Sequence, residues 1–238
     1  MSRIKRYLTA FRRYNRSNGF GIHSPFAFYF VRRVLREKNP YYAYETLYKC
    51  RRSAMKLVRG RQLKKQIISY QNAKMLFRIA CYFRPKNILQ IGTSYGISAI
   101  SMLSIDCHSH LVIYPGAGAC FDIFDMLTSE QSHRIENTLT IDDAIQRYNE
   151  RLENNNAFVL INSVDNISDA ASALTAVVEA LQSGGVVIMR NLNTNAIMKQ
   201  LWHDCNMSLH HGMSFTNYRI GIFVGLKHLP RQNFAIWF

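Results

Sequence analysis

Gly92-Thr93-Ser94-Tyr95-Gly96-Ile97-Ser98 is the stretch of this 238-residue chain whose residue types are best suited to holding a ligand. The apolar run Ile88-Leu89-Gln90-Ile91 reaches a first glycine, passes three residues to a second, and continues with helical spacing. A buried parallel strand that turns tightly into a helix aims its free backbone amides at whatever lies beyond the strand end. Gly92 lets the backbone turn or approach a ligand closely, and Gly96 lets the new helix pack near the strand. Thr93, Ser94 and Ser98 add hydroxyls, and Gln90 adds an amide at the strand end. The same glycine pair also serves ordinary buried turns that bind nothing.

Other reactive side chains form no comparable set. His108 and His110 are two apart, but no Cys, Asp or third His is spaced to complete a zinc site. His203, His210 and His211 are candidate bases, although histidines at helix ends and surfaces are common. There is no Gly-x-Ser-x-Gly elbow and no CxxC pair, and the five cysteines are widely spread. Buried or half-buried free thiols are the expectation.

The elements around the glycine turn follow from hydrophobic spacing. Residues 3 to about 15 read as a basic amphipathic helix, with Ile4, Tyr7, Leu8 and Phe11 on one stripe. Ser24 and Pro25 mark the start of another helix, and Asn39-Pro40 its end. Further helices are predicted from Tyr41 to about Met55 and from about Leu63 or Ser69 to Phe83. Strand-length apolar runs lie at 87–91, 111–114, 157–162 and 185–189, separated by helical segments. Phe215 to Gly225, followed by Asn233 to Phe238, reads as a closing antiparallel pair. Alternating strands and helices imply right-handed parallel crossovers and exclude a helical bundle.

The Gly-Thr-x-x-Gly-x-Ser stretch resembles the first motif of class I methyltransferases that use S-adenosylmethionine. It is most similar to the small-molecule O-methyltransferase branch. The post-helix turn Gln182-Ser183-Gly184-Gly185, the strand Val186 to Met189 and Tyr218-Arg219-Ile220-Gly221-Ile222-Phe223 resemble the same group. Gly21-Ile22-His23-Ser24-Pro25-Phe26 resembles a segment of its bacterial members, especially those of Bacteroidetes. The resemblance covers residues 70–238 well and the N-terminal helices more loosely. It implies an α/β, Rossmann-like, seven-stranded and mostly parallel sheet of order 3-2-1-4-5-7-6, residues 86–238, with an N-terminal helical extension over residues 1–85. It also implies S-adenosylmethionine as cofactor, a small-molecule acceptor, and cofactor contacts at Gln90, Gly92, Thr93, Ser94, Gly96, Ser98, Tyr114 and Asn162.

The chain departs from that family at its acids. The family acid at the first strand end is Gln90 here, and the ribose-binding acid after the second strand is Tyr114. A tyrosine cannot accept from two hydroxyls as a carboxylate does. The family's divalent metal is held by an Asp after strand four and an Asp-Asn pair after strand five. Those places hold Asn162 and Arg190-Asn191, and a guanidinium beside a dication is unfavourable, so no metal is expected. Two functions follow: a metal-independent methyltransferase of unknown acceptor and unknown catalytic residue, or a catalytically degenerate relative acting in binding or assembly.

The net charge of +15 is uneven. Through Lys65 there are 18 Lys or Arg against 2 acids, a balance of +16, and the remainder is close to neutral. Such a segment, residues 1–65, attracts RNA or an anionic membrane surface without fixing either. No run approaches the length of a membrane span and no signal-peptide pattern follows Met1, so a cytoplasmic location is expected.

Overall fold

The computed structural model describes residues 22–116, 121–152 and 157–238. The basic helix expected at residues 3–15 and the end of the Pro115–Gly118 turn lie outside the described residues.

Ser24 and Pro25 open α1 (Pro25–Tyr29), with the Ser24 hydroxyl accepting from the Ala27 amide at 3.3 Å. The helix then widens into a π-turn over Phe30–Leu35. Widening leaves carbonyls at its end, and Arg78 collects two of them. Its Nε donates to the Val34 carbonyl (2.6 Å), Nη2 to Leu35 (2.7 Å) and Nη1 to the Tyr44 hydroxyl (3.1 Å). A buried arginine with all three nitrogens engaged thereby ties α1 to α2 (Ala43–Leu57) and α4 (Tyr70–Phe83). The short α3 (Arg61–Gln66) lies between α2 and α4.

The sheet follows in the anticipated order. Its strands are β1 (Asn87–Ile91), β2 (His110–Tyr114), β3 (Ile135–Asn137), β4 (Phe158–Ile161), β5 (Val186–Arg190), β6 (Met213–Thr216), β7 (Ile220–Val224) and β8 (Gln232–Ala235). They lie in the order β3-β2-β1-β4-β5-β7-β6-β8. Strands β1 to β5 run parallel, and β7 is antiparallel to both β5 and β6. An eighth strand goes beyond the seven expected. Residues 232–235 pair in parallel with β6, so the antiparallel closing pair is β6–β7 and the chain end covers the β6 edge.

The connecting helices are α5 (Ile97–Leu103), α6 (Phe121–Thr128), α7 (Ile141–Glu150), α8 (Ile167–Gln182) and α9 (Ala196–Met207). The sheet separates two apolar layers. One holds α1, α2, α4 and α5 against Ile88, Leu160, Ile188 and Ile222. The other holds α7, α8 and α9 against Leu89, Val159, Val187 and Phe223. Because side chains alternate along each strand, Gln90, Asn162 and Arg190 share the face of the first layer, at or just past the strand ends. Gln90 and Asn162 come from the neighbouring strands β1 and β4. Among the described residues, no helix is long and apolar enough to cross a membrane.

Candidate functional site

A cleft of about 740 Å³ opens at the carboxyl ends of β1, β2, β4 and β5. This is the switch point, where successive connections leave the sheet in opposite directions and α/β proteins hold their ligands. Its floor is made by Thr93 and Tyr95 after β1, Pro115 and Gly116 after β2, and Ser163 and Asp165 after β4. Asn191, Thr194 and Asn195 close the side beyond β5. Leu57, Val58, Arg59, Leu63 and Gln66, from the end of α2 and from α3, form the roof. The volume is within the range of small-molecule sites, about 300–1,000 Å³.

Most of the residues expected to contact a cofactor lie beneath this cleft and bond to one another. The Gly92 carbonyl accepts from Gln90 Nε2 (3.0 Å) and Asn162 Nδ2 (2.9 Å). Ser98 Oγ accepts from Ser94 Oγ (2.8 Å) and Asn162 Nδ2 (3.2 Å), and donates to Gln90 Oε1 (3.2 Å). Ser94 Oγ also receives the Ser98 amide at 3.2 Å, so the start of α5 is satisfied from within. Gln90, Ser94, Ser98 and Asn162 are all buried. Neutral polar groups in a dry interior need such partners, and these have them.

The glycines are required for fit. Gly92 has φ +77°, and a Cβ there would stand 2.8 Å from the backbone of Ser163. The close approach at Gly92 is therefore made by the chain leaving β4. Gly96 has φ +80°, and its Cβ would stand 2.7 Å from the Thr128 methyl, so it admits α6 against the turn.

Thr93 is different. It lines the cleft, and its buried hydroxyl has no partner among the described residues. Two other cleft residues, Tyr95 (φ 55°) and Asn191 (φ 58°), hold left-handed backbone without being glycine. Such conformations persist where the surroundings over-determine them, and they cluster at ligand sites. Asn191 is fixed by its Nδ2 bond to the Asn162 carbonyl (3.0 Å) and by Thr194 Oγ1, which donates to the Asn191 carbonyl (2.7 Å).

Tyr114 ends β2 but sends its hydroxyl to Asp169 Oδ2 (3.0 Å) at the start of α8. Burial, followed by the bond to this carboxylate, raises its pKa above that of an ordinary tyrosine. Asp165 supplies the cleft's carboxylate and accepts from Asn195 Nδ2 at 3.2 Å. Sequence reasoning did not assign Ser163, Asp165, Asn191 or Asn195 to a ligand. Their usable signal is position, since each follows β4 or β5 within a few residues.

Arg190 is only 4% exposed and donates through Nη1 to Asn162 Oδ1. Its Nε has no partner among the described residues, and burial pushes its pKa down to about 10. A buried guanidinium beside an amide does not fit a divalent cation. Among the described residues, no three His, Cys, Asp or Glu side chains converge. His203, His210 and His211 do not line the cleft.

An adenosylated amino acid presents hydroxyls, an ammonium and a carboxylate. Thr93's hydroxyl, unpartnered among the described residues, suits the polar groups, and Arg59 in the roof is a cation for the carboxylate.

No protein-family model matches this chain, and no curated protein matches it. Solved structures do match in shape. The O-methyltransferase TomG of Streptomyces achromogenes, in complex with S-adenosylmethionine, shares 15% identity over 91% of this chain and 98% of that one, with a TM-score of 0.55. An O-methyltransferase of Bacillus cereus, in complex with S-adenosylhomocysteine, shares 17% over 82% and 95%, with a TM-score of 0.52. The S-adenosylhomocysteine-bound methyltransferase PaMTH1 of Podospora anserina shares 11% over 85% and 96%, with a TM-score of 0.53. At these identities the likeness is one of architecture, and this chain has the fold of the class I S-adenosylmethionine-dependent methyltransferases.

Proposed function

We propose that this protein is a metal-independent methyltransferase that binds S-adenosylmethionine in the switch-point cleft. The observation that supports this most is Thr93, whose buried hydroxyl has no partner among the described residues in a cleft of suitable size. Thr93, Tyr95 and Ser163 are the residues that would hold the cofactor, and Gly92 and Gly96 shape the turn beneath it. When bound, S-adenosylmethionine supplies an electrophilic methyl group. Asp165, steadied by Asn195, is the group placed to take a proton from an acceptor hydroxyl or amine. Leu57, Val58 and Leu63 give the roof an apolar surface that suits a small acceptor with an apolar body and excludes water.

A second reading is favoured by the closed network of Gln90, Ser98, Asn162 and Arg190. In it, the places of family acids hold Gln90, Asn162 and Arg190, which bond to Ser98 or to one another. The protein then acts in binding or assembly, with exposed Arg32, Arg33, Lys38, Lys49, Arg52 and Lys56 as its working surface toward RNA or an anionic membrane. Fold alone does not decide between the two. Titration calorimetry with S-adenosylmethionine and S-adenosylhomocysteine does. Micromolar affinity is the expected result, and no heat at millimolar ligand would discard the first reading in favour of the second.

A further inference from the structure

Arg190 is a buried cation that has no anionic partner among the described residues. It ends β5 on the face of the sheet covered by α2, whose end helps to roof the cleft. Nη1 donates to Asn162 Oδ1, the oxygen of a neutral amide. Burial pushes the pKa down to about 10, with no carboxylate acting against it. Buried charges in proteins are otherwise paired, because an isolated one is costly.

The rest of the chain offers no acid to complete the pair. Residues 1–21 and 117–120, which lie outside the described residues, contain no Asp or Glu. Glu153 stands in the chain ahead of β4, whereas Arg190 closes β5, which runs parallel to β4. The missing negative charge therefore has to come from outside the chain.

The unused part of the guanidinium has a definite shape. Nε is closed off from solvent without a partner, and Nη2 makes no hydrogen bond among the described residues. Nε–H and one Nη2–H point the same way from one edge of the planar group. Nη1, which holds Asn162, is on the other side. Two parallel N–H donors match the two oxygens of a carboxylate. We propose that this edge of Arg190 binds a carboxylate, and that the carboxylate belongs to the molecule that accepts the methyl group. The second half rests on the proposed methyltransferase activity, and the anion site does not.

A carboxylate suits the place better than a phosphate. Its single charge cancels one guanidinium, whereas a phosphate monoester brings about −1.5 to −2 and leaves negative charge buried. The approach is from the cleft. Asn191 follows Arg190 and Ser163 follows Asn162, and both Asn191 and Ser163 line the cleft. Arg59 in the roof remains for the cofactor's own carboxylate, and Leu57, Val58 and Leu63 cover an apolar body. The acceptor class is thus a hydroxy or amino carboxylic acid with an apolar body, anchored by its carboxylate.

The test is titration calorimetry and thermal melting of the full chain with sodium benzoate. Benzamide serves as the uncharged counterpart of the same shape. Benzoate should saturate with a dissociation constant of about 1 mM or below, the scale of a small ligand held by one ion pair. Benzamide should bind at least about tenfold more weakly, because it cannot offer two charged acceptors. Benzoate should weaken by a similar factor in Arg190→Met, while Arg190→Lys, which keeps the charge without the fork, should fall between. A melt without ligand checks that each variant folds.

Equal binding of benzoate and benzamide by the natural protein would overturn the site without recourse to any variant. So would a folded Arg190→Met protein that keeps its benzoate affinity, or no saturable benzoate binding up to about 50 mM. The source of the carboxylate is decided with S-adenosylhomocysteine present at saturation, where benzoate should still bind. Mutual exclusion would give Arg190 to the cofactor's carboxylate and overturn the assignment to the acceptor. A protein that binds benzoate through Arg190 but not S-adenosylhomocysteine keeps the anion site and discards the methyltransferase. The reverse result keeps the methyltransferase and discards this site.

Discussion

Arg190 Nη1 donates to Asn162 Oδ1 between the neighbouring strands β5 and β4, one position beyond the paired residues Ile161 and Met189. The amide just past the end of β4 thus accepts from the guanidinium at the end of β5. Asn162 passes the connection on through Nδ2 to the Gly92 carbonyl and Ser98 Oγ. The glycine turn and the β5 end are thereby joined by uncharged acceptors around one buried cation.

Removing the acceptor should cost more than removing the charge. Asn162→Ala leaves a buried guanidinium without its partner, and an unsatisfied charged group costs more than the roughly 1–3 kcal/mol of a neutral one. Arg190→Met replaces the charge with an apolar chain and leaves only the Asn162 oxygen unpaired, which costs about 1–3 kcal/mol. Urea unfolding of both variants measures the difference. An Asn162→Ala protein as stable as Arg190→Met would show that Arg190 is compensated elsewhere.

Thr93→Val and Asp165→Asn separate binding from chemistry. The Thr93 hydroxyl has no partner among the described residues, so its removal should leave stability unchanged or slightly higher. If it bonds the cofactor, affinity for S-adenosylhomocysteine should fall about five- to tenfold, the equivalent of one hydrogen bond of roughly 1 kcal/mol. Asp165→Asn should keep that affinity within a few-fold and lower the methyl-transfer rate by about 10²–10⁴, the usual worth of a general base. Calorimetry and single-turnover transfer to a screened acceptor read the two effects.

Gly96→Ala should destabilise through two separable causes. Alanine at φ +80° is strained by roughly 1 kcal/mol, and its Cβ would press on the Thr128 methyl at 2.7 Å. Adding Thr128→Ser removes the methyl while keeping a hydroxyl able to donate to the Phe124 carbonyl, as Thr128 Oγ1 does at 2.8 Å. The double variant should regain part of the loss in melting temperature, but not all of it. Full recovery would show that backbone strain contributes nothing there.

Alkaline pH should weaken the fold through its thiols. Burial raises the Cys205 pKa to about 12 and the Cys81 pKa to about 11, against an ordinary value of 9.0. The unfolded chain therefore loses these protons first. Their contribution is complete below pH 9 and is lost as pH rises toward 11 and 12. By pH 10 each thiol should have cost up to about 1.4 kcal/mol, one pKa unit's worth. Arg190, pushed down to about 10 from 12.5, acts in the opposite direction, but only above pH 10. Cys205→Ala should be less stable at pH 8 yet lose stability more slowly between pH 8 and 10. Parallel urea midpoints for the two proteins over that range would contradict the assignment to Cys205.

The charge of the first 65 residues should give weak, salt-dependent adhesion to polyanions. Arg32, Arg33, Lys38, Lys49, Arg52, Lys56, Arg59 and Lys64 are exposed along the described part. Single-stranded RNA and anionic vesicles should both bind at low salt and release near 0.15 M, where screening acts within about 8 Å. A preference for RNA over vesicles of matched charge would support the binding or assembly reading. Equal binding with and without residues 1–18 would exclude the first segment.

The sequence by itself determined the order of strands and helices. Apolar runs of strand length, the Ser24-Pro25 cap and the Gly92–Gly96 spacing are local patterns, and local patterns survive without tertiary contacts. The eighth strand was less legible, because Gln232–Ala235 alternates only weakly and gains its meaning from the β6 edge beside it. The site needed the folded chain. Gln90, Asn162 and Arg190 each read as a substitution at a family ligand position, and Ser98 as an intact cofactor contact. Only strand register reveals that the first three share one face, and only the fold joins them through Ser98. Conversely, Ser163, Asp165 and Asn195 carry no motif and become cleft residues because parallel strands end together at the switch point. Residue type announces the chemistry available. Which groups remain open to a ligand is decided by long-range hydrogen bonding, and no local pattern contains that.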